Sequence, residues 1–143
     1  MSDLYEHDFY AWANEQAALL RSGNFSAADI ANIAEEIESM GRSEKRELIN
    51  RLKVLFPHLL KWEHQPERRG RSWEFSIRNT RRALVSHMRD NPSLKAKVPE
   101  AIEEAYETAR LDAAIETDLP LDTFPATCPW TFDEAMRETA EDA

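Results

Sequence analysis

The sequence predicts an all-α fold: a helical bundle in one domain, residues 1–143, with about five helices, one long and kinked, and a proline-rich C-terminal strap. Three observations lead there. Apolar residues recur at helical spacing along most of the chain, and no run alternates with the period of two that a half-buried strand needs. Only three glycines interrupt 143 residues, while the good helix formers Ala, Glu, Leu and Arg are frequent. Three of the seven prolines fall between Leu119 and Trp130, which rules out a continuous helix there.

The elements follow in order. Phe9, Trp12, Ala13, Leu19 and Leu20 mark a first helix, with Tyr5 leading in and Gly23 placed to end it. Ser26 then reads as an N-cap, with Asp29 three residues on. Ile30, Ile33, Ile37 and Met40 make an apolar stripe that Leu48, Leu52, Leu55, Leu59 and Trp62 continue in phase at about 100° per residue. Two readings compete, one helix over 27–64 or two helices broken at Gly41 and recapped by Ser43; the unbroken phase favours one. Pro57 should bend it by removing a backbone donor. Ser72 reads as the cap of a helix carrying Trp73, Ile77, Leu84 and Met88 and stopping at Asn91-Pro92. Pro99 suits the first turn of the next helix, with Val98, Ile102, Ala105, Tyr106 and Ala109 inward and an end near Thr117. Thr131 with Glu134 is a capping box for a short last helix.

Composition narrows the class. A chain of this length can bury roughly 68–70% of its unfolded surface in a single core. It has no apolar stretch long enough for a membrane span, and its acidic N-terminus does not resemble a signal peptide. Cys128 is the lone cysteine and has no partner for an internal disulfide. A cytoplasmic location is the expectation.

The net charge of −9 hides a segregation: residues 42–97 hold fifteen Lys+Arg against six Asp+Glu, residues 1–41 one Arg against eight acids, and residues 98–143 two Arg against thirteen. A basic middle either meets its acidic flanks within the fold or meets an anionic partner outside it. The expectation is internal pairing. In particular, Arg78, Arg82 and Arg89 on one helix face should either meet Glu100, Glu103, Glu104 and Glu107 on the next helix or be plainly solvated, the sharper reading of such a face being a nucleic-acid footprint.

Four places could carry chemistry. Trp62, Arg68, Arg69, Arg71 and Trp73, continued by Arg78 and Arg82, have the makings of a ligand site, since arginine grips phosphate bidentately and indole rings stack on bases. The bland reading makes the tryptophans core anchors and gives the arginines to carbonyls and to Glu63 and Glu67. Glu44, Arg51 and His58, spaced by seven, form a polar seam or pocket along the long helix, either a set of inter-helix hydrogen bonds or a site where His58 acts as base or ligand. Di-iron bundles need Glu-x-x-His, and no histidine here has Glu three residues before it. Glu35, Glu36 and Glu38 read as a solvated face. No nucleophile has a sequence-local activator, so no catalytic residue, metal or cofactor is expected.

Several segments resemble a known family. They include Asp8-Phe9-Tyr10-Ala11-Trp12, the run Ala34-Glu35-Glu36-Ile37-Glu38-Ser39-Met40-Gly41-Arg42-Ser43, and Leu59 to Arg69 with Ser72-Trp73. Ala109-Arg110-Leu111, Leu119-Pro120-Leu121 and Phe124-Pro125-Ala126-Thr127-Cys128-Pro129-Trp130 complete the set. Together they resemble the bacterial family catalogued as domain of unknown function 29 (DUF 29). The resemblance implies a helical, intracellular bacterial domain and carries no activity across; Pro57 is the clearest departure from it. The favoured function is a non-catalytic module that binds another protein or a copy of itself. The alternatives are binding of nucleic acid or a phosphorylated ligand through the Arg/Trp segment, and a metal or catalytic site around His58 and Glu36.

Overall fold

Every regular element in residues 4–137, the residues that the computed structural model describes, is helical. The α-helices among them are α1 (Leu4–His7), α2 (Phe9–Arg21), α3 (Ile30–His64), α4 (Arg71–Asp90), α5 (Val98–Thr117) and α6 (Phe132–Met136). Short 3-10 turns lie at Phe25–Ala27, Pro66–Arg68, Pro92–Lys97 and Leu121–Thr123. None of the helices is long and apolar enough to cross a membrane. The chain divides into two compact units, Met1–Ser43 and Glu44–Ala143.

In the first unit the chain breaks at Asp8, whose carboxylate accepts from the Ala11 amide at 3.1 Å and starts α2. That break separates α1 from α2, so Tyr5 belongs to a short helix of its own. Gly23 ends the segment in the left-handed region, at φ 77°. The cap of α3 falls three residues later than expected. Ser26 lies in the 3-10 turn, and Asp29 supplies both the first helical carbonyl, to Ile33 N at 2.9 Å, and a carboxylate to the Asn32 amide at 3.4 Å. Asp29 also ties the unit together. Its carboxylate accepts from Trp12 Nε1 at 3.2 Å and Asn32 Nδ2 at 2.8 Å, and its amide donates to Gln16 Oε1 at 2.7 Å. The Asn32 bond, with help from Trp12, holds the Asp29 carboxyl below the usual carboxylate range. The Tyr5 hydroxyl donates to Glu36, a bond that pushes its pKa up to about 12. Tyr5 and Phe9 pack on Trp12 at centroid distances of 4.7 and 5.4 Å.

The second unit holds the core. Helix α3 runs unbroken through Gly41 and Pro57, as the phase of its stripe predicts. Leu48, Leu52, Leu55, Phe56 and Leu60 are sealed against Ile77 and Leu84 of α4 and Ala101, Ala105, Tyr106 and Ala109 of α5. Complete burial of one such Leu or Phe is worth about 1.5–3 kcal/mol. Helix α4 begins at Arg71 rather than after Ser72, with Gly70 in extended backbone before it. Asp118, at φ 59°, turns the chain out of α5 in the left-handed conformation that Asx residues tolerate.

The proline-rich segment is an ordered strap on this core. Phe124 is 1% exposed and meets His64 edge to face at 5.0 Å. Trp130 stacks on Phe56 at 5.9 Å. The Tyr106 hydroxyl donates to the Pro125 carbonyl at 2.6 Å, and Arg110 Nε to that of Phe124 at 3.2 Å. Cys128 is tucked beneath, its thiol donating to the Trp130 carbonyl at 3.4 Å; burial pushes its pKa up. The Thr131–Glu134 capping box forms as predicted and starts α6.

Candidate functional site

The tryptophan-flanked loop folds in upon itself. Arg69 donates from Nε to the Trp62 carbonyl at 2.7 Å, and its guanidinium lies 4.9 Å from the centre of the Trp62 ring. Lys61, only 9% exposed, stands 5.2 Å over Trp73 and pairs with Glu116 at 2.9 Å. Arg68 and Arg71 are exposed, without an ion-pair partner among the described residues. Trp62 and Trp73 are both partly buried.

Charge pairing across the chain is narrower than expected. Lys45 meets Glu100 at 2.7 Å, Lys61 meets Glu116, and Arg42 meets Glu35 at 3.0 Å. Arg51 and Arg78 pair instead with Glu47 and Glu74 one turn back on their own helices. Glu103, Glu104 and Glu107 have no ion pair with α4 among the described residues. The reason is direction: Glu103 and Glu107 line a groove between α5 and the strap.

A groove of about 470 Å³ therefore opens along α4, lined by Arg78, Arg81, Arg82, Arg89, Ser86 and Val85. Arg81 is buried and anchors α6 through the Ala135 carbonyl, which Nε meets at 3.0 Å. Arg82 and Arg89 are exposed, with no ion pair among the described residues. Phe75 and Val85 are half exposed on the same helix.

Glu44, Arg51 and His58 do not converge. His58 Nδ1 turns back to the Val54 carbonyl of its own helix at 2.8 Å, and Arg51 is taken by Glu47. Glu44 instead reaches toward His87 and accepts from Asn91 Nδ2 at 3.3 Å.

The largest departure from expectation lies on α3. Its stripe is buried from Leu48 onward, yet Ile30, Ile37 and Met40 are 55, 59 and 62% exposed. Phe9 and Phe25 are likewise exposed, and Trp12 is the single buried apolar side chain among the described residues of the first unit. Helical periodicity identifies the apolar face and says nothing about whether anything covers it. Ile30, Ile33, Ile37 and Met40 keep the three-four spacing of a seam that takes the knobs of a second helix.

A family model described as Domain of unknown function DUF29 matches residues 4–140, nearly the whole chain. No curated protein and no solved structure matches it.

Proposed function

We propose that the chain, which belongs to the DUF29 family, is a protein-interaction module whose contact surface is the uncovered seam of α3, occupied by the α4 face of a second copy. The exposure of Ile30, Ile37 and Met40 carries this reading. Contiguous apolar surface left in water is the usual mark of an interface. Charge chooses the occupant. Glu38, well exposed, flanks the seam by helical phase, and residues 1–41 hold eight acids against one Arg. The α4 face presents Arg78, Arg82 and Arg89 with Phe75 and Val85, at the same three-four spacing. An acidic apolar seam and a basic apolar face are complementary, and two unlike patches join copies head to tail.

Sedimentation and light scattering test this. The wild-type mass should exceed 16.5 kDa as concentration rises and fall back with added salt, which screens exposed pairs. Ile37→Glu and Arg82→Glu should each give monomers. Mixed together they should form a dimer and nothing larger, since each retains the face the other lacks. A wild type that stays monomeric at its highest soluble concentration overturns the reading.

A second reading rests on Arg82 and Arg89: an anionic ligand, nucleic acid or phosphate, held along the α4 groove. A labelled single strand should then bind at low salt, with affinity falling by roughly 0.7 log units per log unit of salt for each phosphate contacted. No binding at low salt removes it.

A further inference from the structure

We propose that Glu44, Glu47 and His87 form a site for one borderline divalent cation of the Zn²⁺ kind. Glu44 and Glu47 stand three residues apart on α3, and His87 comes to them from α4. One ligand atom from each lies within 4.8 Å of the others. Two carboxylates alone would be an ordinary acidic surface.

His87 makes the difference. It is 9% exposed, and its Nε2 sits 2.7 Å from the Glu44 backbone carbonyl. A carbonyl can only accept, so Nε2 carries a proton, and in the neutral form the ring presents the lone pair of Nδ1 on its other side. That lone pair faces Glu44 Oε2 at 3.7 Å, too far for a hydrogen bond. Two acceptors confronting one another need a positive charge between them. Zinc ligands at about 2.0–2.2 Å in tetrahedral array stand roughly 3–3.5 Å apart, so a small inward movement of an exposed carboxylate completes the geometry.

The surrounding contacts fit this role. An imidazole whose far N–H is fixed by a backbone carbonyl is the usual arrangement of a metal-bound histidine. Asn91 Nδ2 donates to Glu44 Oε2 at 3.3 Å and to the His87 carbonyl at 3.1 Å, linking the two ligands. Arg51 donates to Glu47 Oε1 at 3.0 Å, which leaves the other oxygen for an ion. Both glutamates are about half exposed, so water can take the remaining coordination position.

The alternative is a proton on Nδ1, giving a His87–Glu44 ion pair and no metal. Untagged full-length protein separates the two by calorimetric titration with Zn²⁺ and by metal analysis after dialysis. The expected result is one retained equivalent per chain and a rise in thermal midpoint with free zinc, as selective binding to the folded state requires. Glu47→Gln and Glu44→Gln, at exposed positions that leave the core intact, should weaken zinc binding by more than the roughly 10–100-fold typical of losing an outer-shell partner. Failure of the wild type to retain zinc, or zinc affinity unchanged in both variants, overturns the site and leaves the ion pair. Self-association through α3 stands or falls separately, since Ile37→Glu touches none of these ligands.

Discussion

Phe124→Ala is expected to destabilise the second unit by about 3–5 kcal/mol, the usual cost of deleting a sealed aromatic ring. Trp130 also stacks on Phe56, but Phe124 is the one fully buried side chain of the strap. Its two carbonyl anchors, from Tyr106 to Pro125 and from Arg110 to Phe124, are part-buried hydrogen bonds. Such hydrogen bonds are worth about 0.5–1.5 kcal/mol net. The ring of Phe124, by contrast, fills space against His64 that no solvent would enter. Urea unfolding of Phe124→Ala beside Tyr106→Phe, which deletes only the hydroxyl, checks the argument. Equal costs for the two would mean that hydrogen bonds, not the ring, hold the strap.

Trp12→Ala should cost a similar amount, about 3–5 kcal/mol, but in a different place. The indole is the one buried apolar group among the described residues of the first unit, and Tyr5, Phe9 and Asp29 are all arranged around it. With so small a core, that loss should melt α1 and α2 while the α3–α4–α5 core persists. Hydrogen exchange reads this directly: amides of residues 4–21 lose protection, and those around Leu52, Leu84 and Ala105 keep theirs. A single transition that takes both units together would sink the claim.

The sequence made some of this legible for definable reasons. A continuous α3 was readable because the apolar phase survives Gly41, and a helical glycine with nothing near its missing Cβ costs only about 1 kcal/mol. The Thr131 box was readable because capping is local chemistry. Burial was not, since Ile37 and Leu55 belong to the same stripe and differ only in what lies opposite. The pairing of Arg51 and Arg78 was legible, by contrast, and overlooked: a glutamate four residues back satisfies an exposed arginine before any distant acid can. The Glu44–Glu47–His87 cluster joins positions 43 residues apart on two helices. Only the i, i+3 glutamate pair was visible, and it means nothing until α4 brings an imidazole to it.

Cys128 has a practical consequence. Its sulfur is half sheltered by the strap and held in the thiol form, whereas alkylating reagents attack the thiolate. Modification is therefore expected to be slow, and a faster rate in a strap variant such as Phe124→Ala would report loosening of the segment around Trp130. The lone cysteine thus lets a single chemical label follow how firmly this segment is seated.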